Sequence, residues 1–230
     1  MKKFFIILFL GLLLFGPLGC SNQLVPDQPE LVRHNRECTV VVQVNKHWWS
    51  TGVLVEPNFV LTAYHAIIAP VDTGDTSSCI IHVLASLDNK EFKTYDGIVV
   101  AADPKLDAAL IMLVGDVSGN SEAAFGEGDI LSSQKLYFVG GSGRFKNPSV
   151  VYRGYALQKV NLGDNVTYLA NLLSLNVSRG DSGGGIYNYN GELIGIVVAK
   201  NILYDGLGYA MSAKDIRTWL LGTEWSFVLD

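Results

Sequence analysis

Short runs of β-branched, aromatic and aliphatic residues, each closed by Gly, Pro, Asn, Asp or Ser, fill most of this chain between Cys38 and Met211. Runs of this length suit strands of about four to eight residues and are too short for amphipathic helices. Six of them come first: Cys38 to Val44, Gly52 to Val55, Phe59 to Thr62, Ile80 to Leu84, Gly97 to Ala101 and Ala109 to Val114. They predict one small antiparallel barrel. Beyond the Gly- and Ser-rich stretch from Gly115 to Gly128, six more follow: Lys135 to Val139, Val150 to Tyr155, Val166 to Ala170, Gly185 to Tyr189, Leu193 to Val198 and Gly208 to Met211. The fold class expected is all-β, two six-stranded antiparallel barrels of about residues 37–115 and 129–212.

One segment breaks the pattern. Ser212-Ala213-Lys214-Asp215 reads as a helix N-terminus, and Ile216, Trp219 and Leu220 recur at helical spacing before Gly222. A short helix over about 213–221 should pack on the second barrel.

The first residues are of another kind. Lys2 and Lys3 precede an apolar run from Phe4 to Phe15, the pattern of an export signal over residues 1–19. That run is shorter than the roughly 20 residues a spanning helix needs. Leu18-Gly19-Cys20 resembles the lipobox of bacterial lipoproteins, which implies lipid attachment at Cys20. Pro17 departs from that pattern, so cleavage nearby by an ordinary signal peptidase remains open. The reading expects an exported protein of the bacterial cell envelope, lipid-anchored at its N-terminus, with residues 20–36 as a polar tether carrying Pro26 and Pro29. Removing residues 1–19 leaves 211, enough for one large β domain, with 15 Lys and Arg against 22 Asp and Glu. No basic patch for nucleic acid is visible. In an oxidising compartment Cys38 and Cys79 are either a disulfide pair or two buried thiols.

Three segments carry chemistry. Phe59-Val60-Leu61-Thr62-Ala63-Tyr64-His65 sets a histidine just after a buried strand. Leu106-Asp107-Ala108-Ala109-Leu110-Ile111 opens an apolar strand with an acid, which needs a partner where it leaves water. Gly180-Asp181-Ser182-Gly183-Gly184 allows a sharp turn that exposes a hydroxyl and backbone amides. A serine becomes a useful nucleophile when an adjacent base takes its proton, and that base needs a carboxylate to fix its tautomer. The chain order His, Asp, Ser excludes the subtilisin and α/β-hydrolase arrangements, and the last segment matches Gly-x-Ser-x-Gly without the strand and helix alternation an α/β-hydrolase requires. Asp103 is a rival acid, although it precedes Pro104 in a turn. No His or Cys cluster has metal-site spacing, and no metal or cofactor is expected.

Together these segments resemble the three signatures of trypsin-like peptidases, over about Glu37 to Trp219. The resemblance implies that His65 is the general base, Asp107 its orienting acid and Ser182 the nucleophile. The amides of Gly180 and Ser182 would form the oxyanion hole. It sets Asn176 at the floor of the primary pocket, with Val198, Ala199, Lys200 and Tyr209 as walls. Without an acid at the floor, strong selection for Arg or Lys is not expected. In digestive members the acid at the position of Asp181 pairs with a freshly cut N-terminal amine. The segment from Glu37 to Val41 lacks the activation start that would supply one, so no zymogen cleavage is expected. Because a buried Asp181 is costly unpaired, backbone amides or Arg179 should hold it. The partner expected is a protein or peptide substrate. A reading from another class is a binding module that keeps the barrels and has lost catalysis.

Overall fold

The computed structural model describes residues 29–44, 48–68, 78–86, 91–115, 117, 121–140, 150–161 and 170–229. Residues 1–28, on which the expected export signal and the expected lipid site at Cys20 fall, lie outside them. Among the described residues no helix is long and apolar enough to cross a membrane.

Among the described residues, twelve strands form two closed six-stranded antiparallel barrels. The first joins β1 (Thr39–Val44), β2 (Trp48–Glu56), β3 (Phe59–Thr62), β4 (Ser78–Ser86), β5 (Glu91–Asp103) and β6 (Ala108–Val114) in the order β1-β2-β3-β6-β5-β4. The second joins β7 (Lys135–Gly140), β8 (Val150–Val160), β9 (Ala170–Leu173), β10 (Gly185–Tyr187), β11 (Leu193–Lys200) and β12 (Gly208–Ser212) in the order β10-β11-β12-β9-β8-β7. The expected architecture is the one observed. β2 starts at Trp48 rather than Gly52, because Gly52 is a mid-strand residue pressed against Val60, where an added Cβ would lie 2.5 Å from Val60 Cγ1. β9 begins where its expected run ended, and residues 162–169 lie outside the description.

The two-residue period of a strand explains why so many runs look apolar throughout. In β1, Val40, Val42 and Val44 fill the first barrel with Leu54, Val60 and Ile111. In β7, Leu136 and Phe138 fill the second barrel with Leu173, Ile186 and Val197. The alternate positions do not face water. Val53, Leu61 and Leu110 from one barrel meet Tyr137, Val139, Tyr187 and Ile196 from the other in a third core along the seam. Ile216 and Leu220 of α3 (Ala213–Leu221) join that seam cluster. Ser212 caps α3 by accepting a hydrogen bond from the Asp215 amide, as the capping pattern predicts.

One expectation needs correction, and one open alternative is decided. The second half of the proposed tether is a helix, α1 (Pro29–Glu37), with Pro29 at its start, Glu30 in the first turn, and His34 and Arg36 in the last. It is docked on the second barrel: the buried Asn35 amide donates to Tyr137 Oη at 2.6 Å and to the Gly191 carbonyl at 3.1 Å. The helix escapes a period search because what fixes it is a buried amide rather than an apolar stripe.

Cys38 and Cys79 do not form a pair. Cys38 is a free, buried thiol whose pKa burial pushes far up, so it behaves as a small apolar side chain. The antiparallel register of β1 on β4 runs from Val40 opposite Val83 to Gln43 opposite Ile80. Cys38 therefore precedes one end of the ladder and Cys79 follows the other, about 20 Å apart at the rise of an extended strand, whereas a disulfide needs Cα atoms within about 7 Å.

Candidate active site

β3 ends at Thr62, and the chain turns through Ala63 into the short helix α2 (Tyr64–Ile68), anchored by buried Ala66 and Ile67. The first amides of a helix lack partners within it. Here Asp107 supplies two: its carbonyl accepts from the Tyr64 amide at 3.1 Å, and its Oδ1 accepts from the His65 amide at 2.8 Å. Asp107 takes φ 51°, a left-handed conformation uncommon outside glycine, and the contacts to α2 hold it there. Its second oxygen, Oδ2, accepts from His65 Nδ1 at 2.7 Å. A carboxylate can only accept, so Nδ1 carries the proton and Nε2 is left to accept. Nε2 lies 2.9 Å from Ser182 Oγ. The His65 side chain is 45% exposed, so a substrate can reach the pair.

Asp103 does something else. Its Oδ1 accepts from the amides of Lys105 and Leu106, which makes it the cap of the turn before β6.

Ser182 comes from the second barrel, in the tight segment between β9 and β10, where Gly180 has φ 99° and Gly183 has φ 84°. Asp181 N donates to the Ser178 carbonyl at 3.1 Å and Gly183 N to the Val197 carbonyl at 2.7 Å. The amides of Gly180 and Ser182 donate to no acceptor among the described residues. Two threonines that carry no signal in the sequence hold this loop from the other barrel. Thr51 N donates to the Ser182 carbonyl at 2.9 Å, Thr51 Oγ1 donates to the Gly180 carbonyl at 2.7 Å, and Thr62 Oγ1 donates to the Thr51 carbonyl at 2.7 Å. Both threonines are fully buried.

The sequence profile of the trypsin-like peptidase domain matches residues 50–196, most of the chain. The chain belongs to the trypsin-like peptidase family. The peptidase is similar in fold to an inactive form of Rv3671c from M. tuberculosis H37Rv, with a TM-score of 0.67 at 18% identity over 84% of this chain and 89% of that one. The active form of the Rv3671c protease gives a TM-score of 0.66 at 18% identity, over 83% and 82% of the two chains. A serine endoprotease from Yersinia pestis gives 0.65 at 18% identity, over 87% of this chain and 66% of that one. No curated protein sequence matches.

The residues assigned to the pocket differ in exposure. Asn176 is exposed, Val198 is buried, and Ala199 and Tyr209 are half-buried. Lys200 is exposed, its ammonium 2.9 Å from Asp205 Oδ1 on the β11–β12 hairpin.

Asp181 is fully buried. Its Oδ2 accepts from the Ser178 amide at 2.7 Å, one of the two kinds of partner anticipated, while Oδ1 has no hydrogen-bond partner among the described residues. Burial pushes its pKa up to about 6, and the Ser178 bond pulls the other way. A carboxyl with a raised folded pKa contributes stability that is fully present below the unfolded value near 4 and lost as pH rises through about 6. The peptidase should therefore lose on the order of 2–3 kcal/mol from this group between pH 4 and pH 7. Asp181→Asn should remove that slope. Urea unfolding of both proteins across this range checks it, and parallel stability curves would refute it.

Proposed function

We propose that this peptidase hydrolyses peptide bonds through an acyl-enzyme on Ser182. His65 Nε2 takes the hydroxyl proton as Oγ attacks the carbonyl carbon and later returns a proton to the leaving amine. Asp107 keeps the imidazole in the tautomer that can accept, and stabilises its positive charge once it is protonated. The amides of Gly180 and Ser182 donate to the oxygen that becomes negative in the tetrahedral intermediate. The observation that carries the reading is the continuous hydrogen-bonded line from Asp107 through His65 to Ser182, drawn from both barrels. A binding module without catalysis would have no need of that alignment.

The pocket is read as one for small or medium uncharged side chains. Asn176 offers no carboxylate to a cation, and Lys200 is turned to Asp205. Export rests on the basic and apolar leader, and tethering at the cell envelope on Cys20 at the end of that leader. The Ser178 amide on Asp181 supports a site already ordered without a freshly cut N-terminal amine.

Labelling of the purified protein by a fluorophosphonate tests the nucleophile directly, because the probe needs an activated serine. Wild type should label in proportion to its cleavage of casein, and a folded protein that does neither would sink the reading. Cleavage of a peptide library should show uncharged residues on the acyl side. Dominance of Arg or Lys there would overturn the pocket assignment alone.

A further inference from the structure

We infer that Thr51 is a positioning residue for the oxyanion-binding amides, acting from the first barrel on the serine loop of the second. The inference rests on the peptidase reading above and adds a residue to its machinery.

The argument begins with what the loop lacks. Gly180 sits at φ 99°, and a residue without Cβ adopts positive and negative φ with similar ease. Nothing intrinsic to Gly180 therefore selects the orientation in which its N–H faces the oxyanion position. Rotation about this residue turns the peptide planes on either side of it, and the amides of Gly180 and Ser182 would no longer converge. A preorganised oxyanion site needs those dipoles fixed before the charge develops. The Asp181 carbonyl, in the peptide that carries the Ser182 amide, accepts from the Gly184 amide at 2.9 Å, so what remains to be fixed is the pair of flanking peptide planes, whose carbonyls belong to Gly180 and Ser182.

Thr51 provides two such bonds, one on each side of Asp181. Its hydroxyl donates to the Gly180 carbonyl at 2.7 Å and its amide donates to the Ser182 carbonyl at 2.9 Å. The amide bond follows from backbone position and any residue would make it. The hydroxyl bond belongs to this side chain alone. The backbone that carries it is in turn held, because Thr62 Oγ1 on the adjacent strand donates to the Thr51 carbonyl at 2.7 Å. The two threonines lie side by side, with Thr62 paired to Gly52 in the β2–β3 ladder. Both are fully buried, so water does not compete for these bonds. Thr51 touches the carbonyl side of the loop, and its effect on the reaction passes through the direction of the amides.

The test compares wild type with Thr51→Val, which keeps the shape and removes the hydroxyl, and Thr51→Ser, which keeps the hydroxyl. With enzyme concentrations set by fluorophosphonate titration of competent sites, Thr51→Val should lower kcat by about tenfold to a hundredfold with KM within about twofold. Affinity for a peptide aldehyde, whose adduct with Ser182 carries the oxyanion, should fall by a similar factor. Affinity for the matching product peptide should not change. Thr51→Ser should restore kcat to within about threefold of wild type. Should Thr51→Val yield too few competent sites to assay, Thr51→Ala against Thr51→Ser carries the same comparison. Equal kcat in the variants with and without the hydroxyl would overturn the inference while leaving the nucleophile assignment intact, as would a loss in KM alone. A wild-type protein that neither titrates nor cleaves would overturn both.

Discussion

Replacing Ser182 with Ala is expected to lower kcat by a factor on the order of 10⁶, with the fold and substrate affinity preserved. The loss is that large because the hydroxyl is the atom that forms the new bond, and no other described nucleophile stands against His65 Nε2, which is 2.9 Å from Ser182 Oγ. What remains, about 10³- to 10⁴-fold over water, would come from binding and from the amides of Gly180 and Ser182. Asp107→Asn should lose about 10⁴-fold, the figure of the chymotrypsin-type worked case, since an amide in place of the carboxylate favours the wrong tautomer of His65. Asp103→Asn should be mild, because the Asp103 carboxylate serves only the turn at Lys105 and Leu106. Initial rates on an unstructured protein substrate check all three. A Ser182→Ala protein as fast as wild type would show that the nucleophile lies elsewhere.

The strands were legible in the sequence because each turns one face to a barrel interior, and those at the seam bury the other face as well, so that β1 is buried at every position, whereas β8 leaves Arg153, Tyr155 and Leu157 exposed. The triad was legible for a different reason. A serine between glycines, an acid opening an apolar strand and a histidine closing one are each ambiguous, and their order along the chain removes the ambiguity. Helix α1 was not legible, since its anchor is the amide of Asn35, whose partners Tyr137 and Gly191 lie 102 and 156 residues away. The separation of Cys38 from Cys79 was not legible either, because the register of β1 on β4 is fixed by long-range packing that no local signal encodes. Thr51 and Thr62 read as ordinary strand residues, threonine being common in strands. Only the crossing of the two barrels reveals that their hydroxyls hold the serine loop.

The second large effect is expected at Gly183, and it follows from that crossing. Gly183 has φ 84°, where a side chain is strained, and an added Cβ would lie 2.1 Å from the Thr51 carbonyl oxygen, 2.3 Å from Thr62 Oγ1 and 2.9 Å from the Ala63 amide nitrogen. Two of those three atoms are backbone of the opposite barrel, and the third is locked in a hydrogen bond to Thr51. None can move aside without opening the seam. Positive φ alone costs an alanine about 1–2 kcal/mol, whereas clashes with fixed backbone belong to the class of substitutions that exceed about 4 kcal/mol. Gly206 separates the two contributions, because its φ is 80° and nothing lies within 4 Å of the Cβ position. Gly206→Ala should therefore be destabilised by about 1–2 kcal/mol and keep its activity. Gly183→Ala should be destabilised by more than about 4 kcal/mol, and whatever folds should label poorly with fluorophosphonate, since the bonds from Thr51 to Gly180 and Ser182 cannot survive a displaced loop. Denaturant unfolding of the two variants measures the difference. Equal destabilisation at both glycines would mean that the barrels do not press on the serine loop as closely as these contacts require.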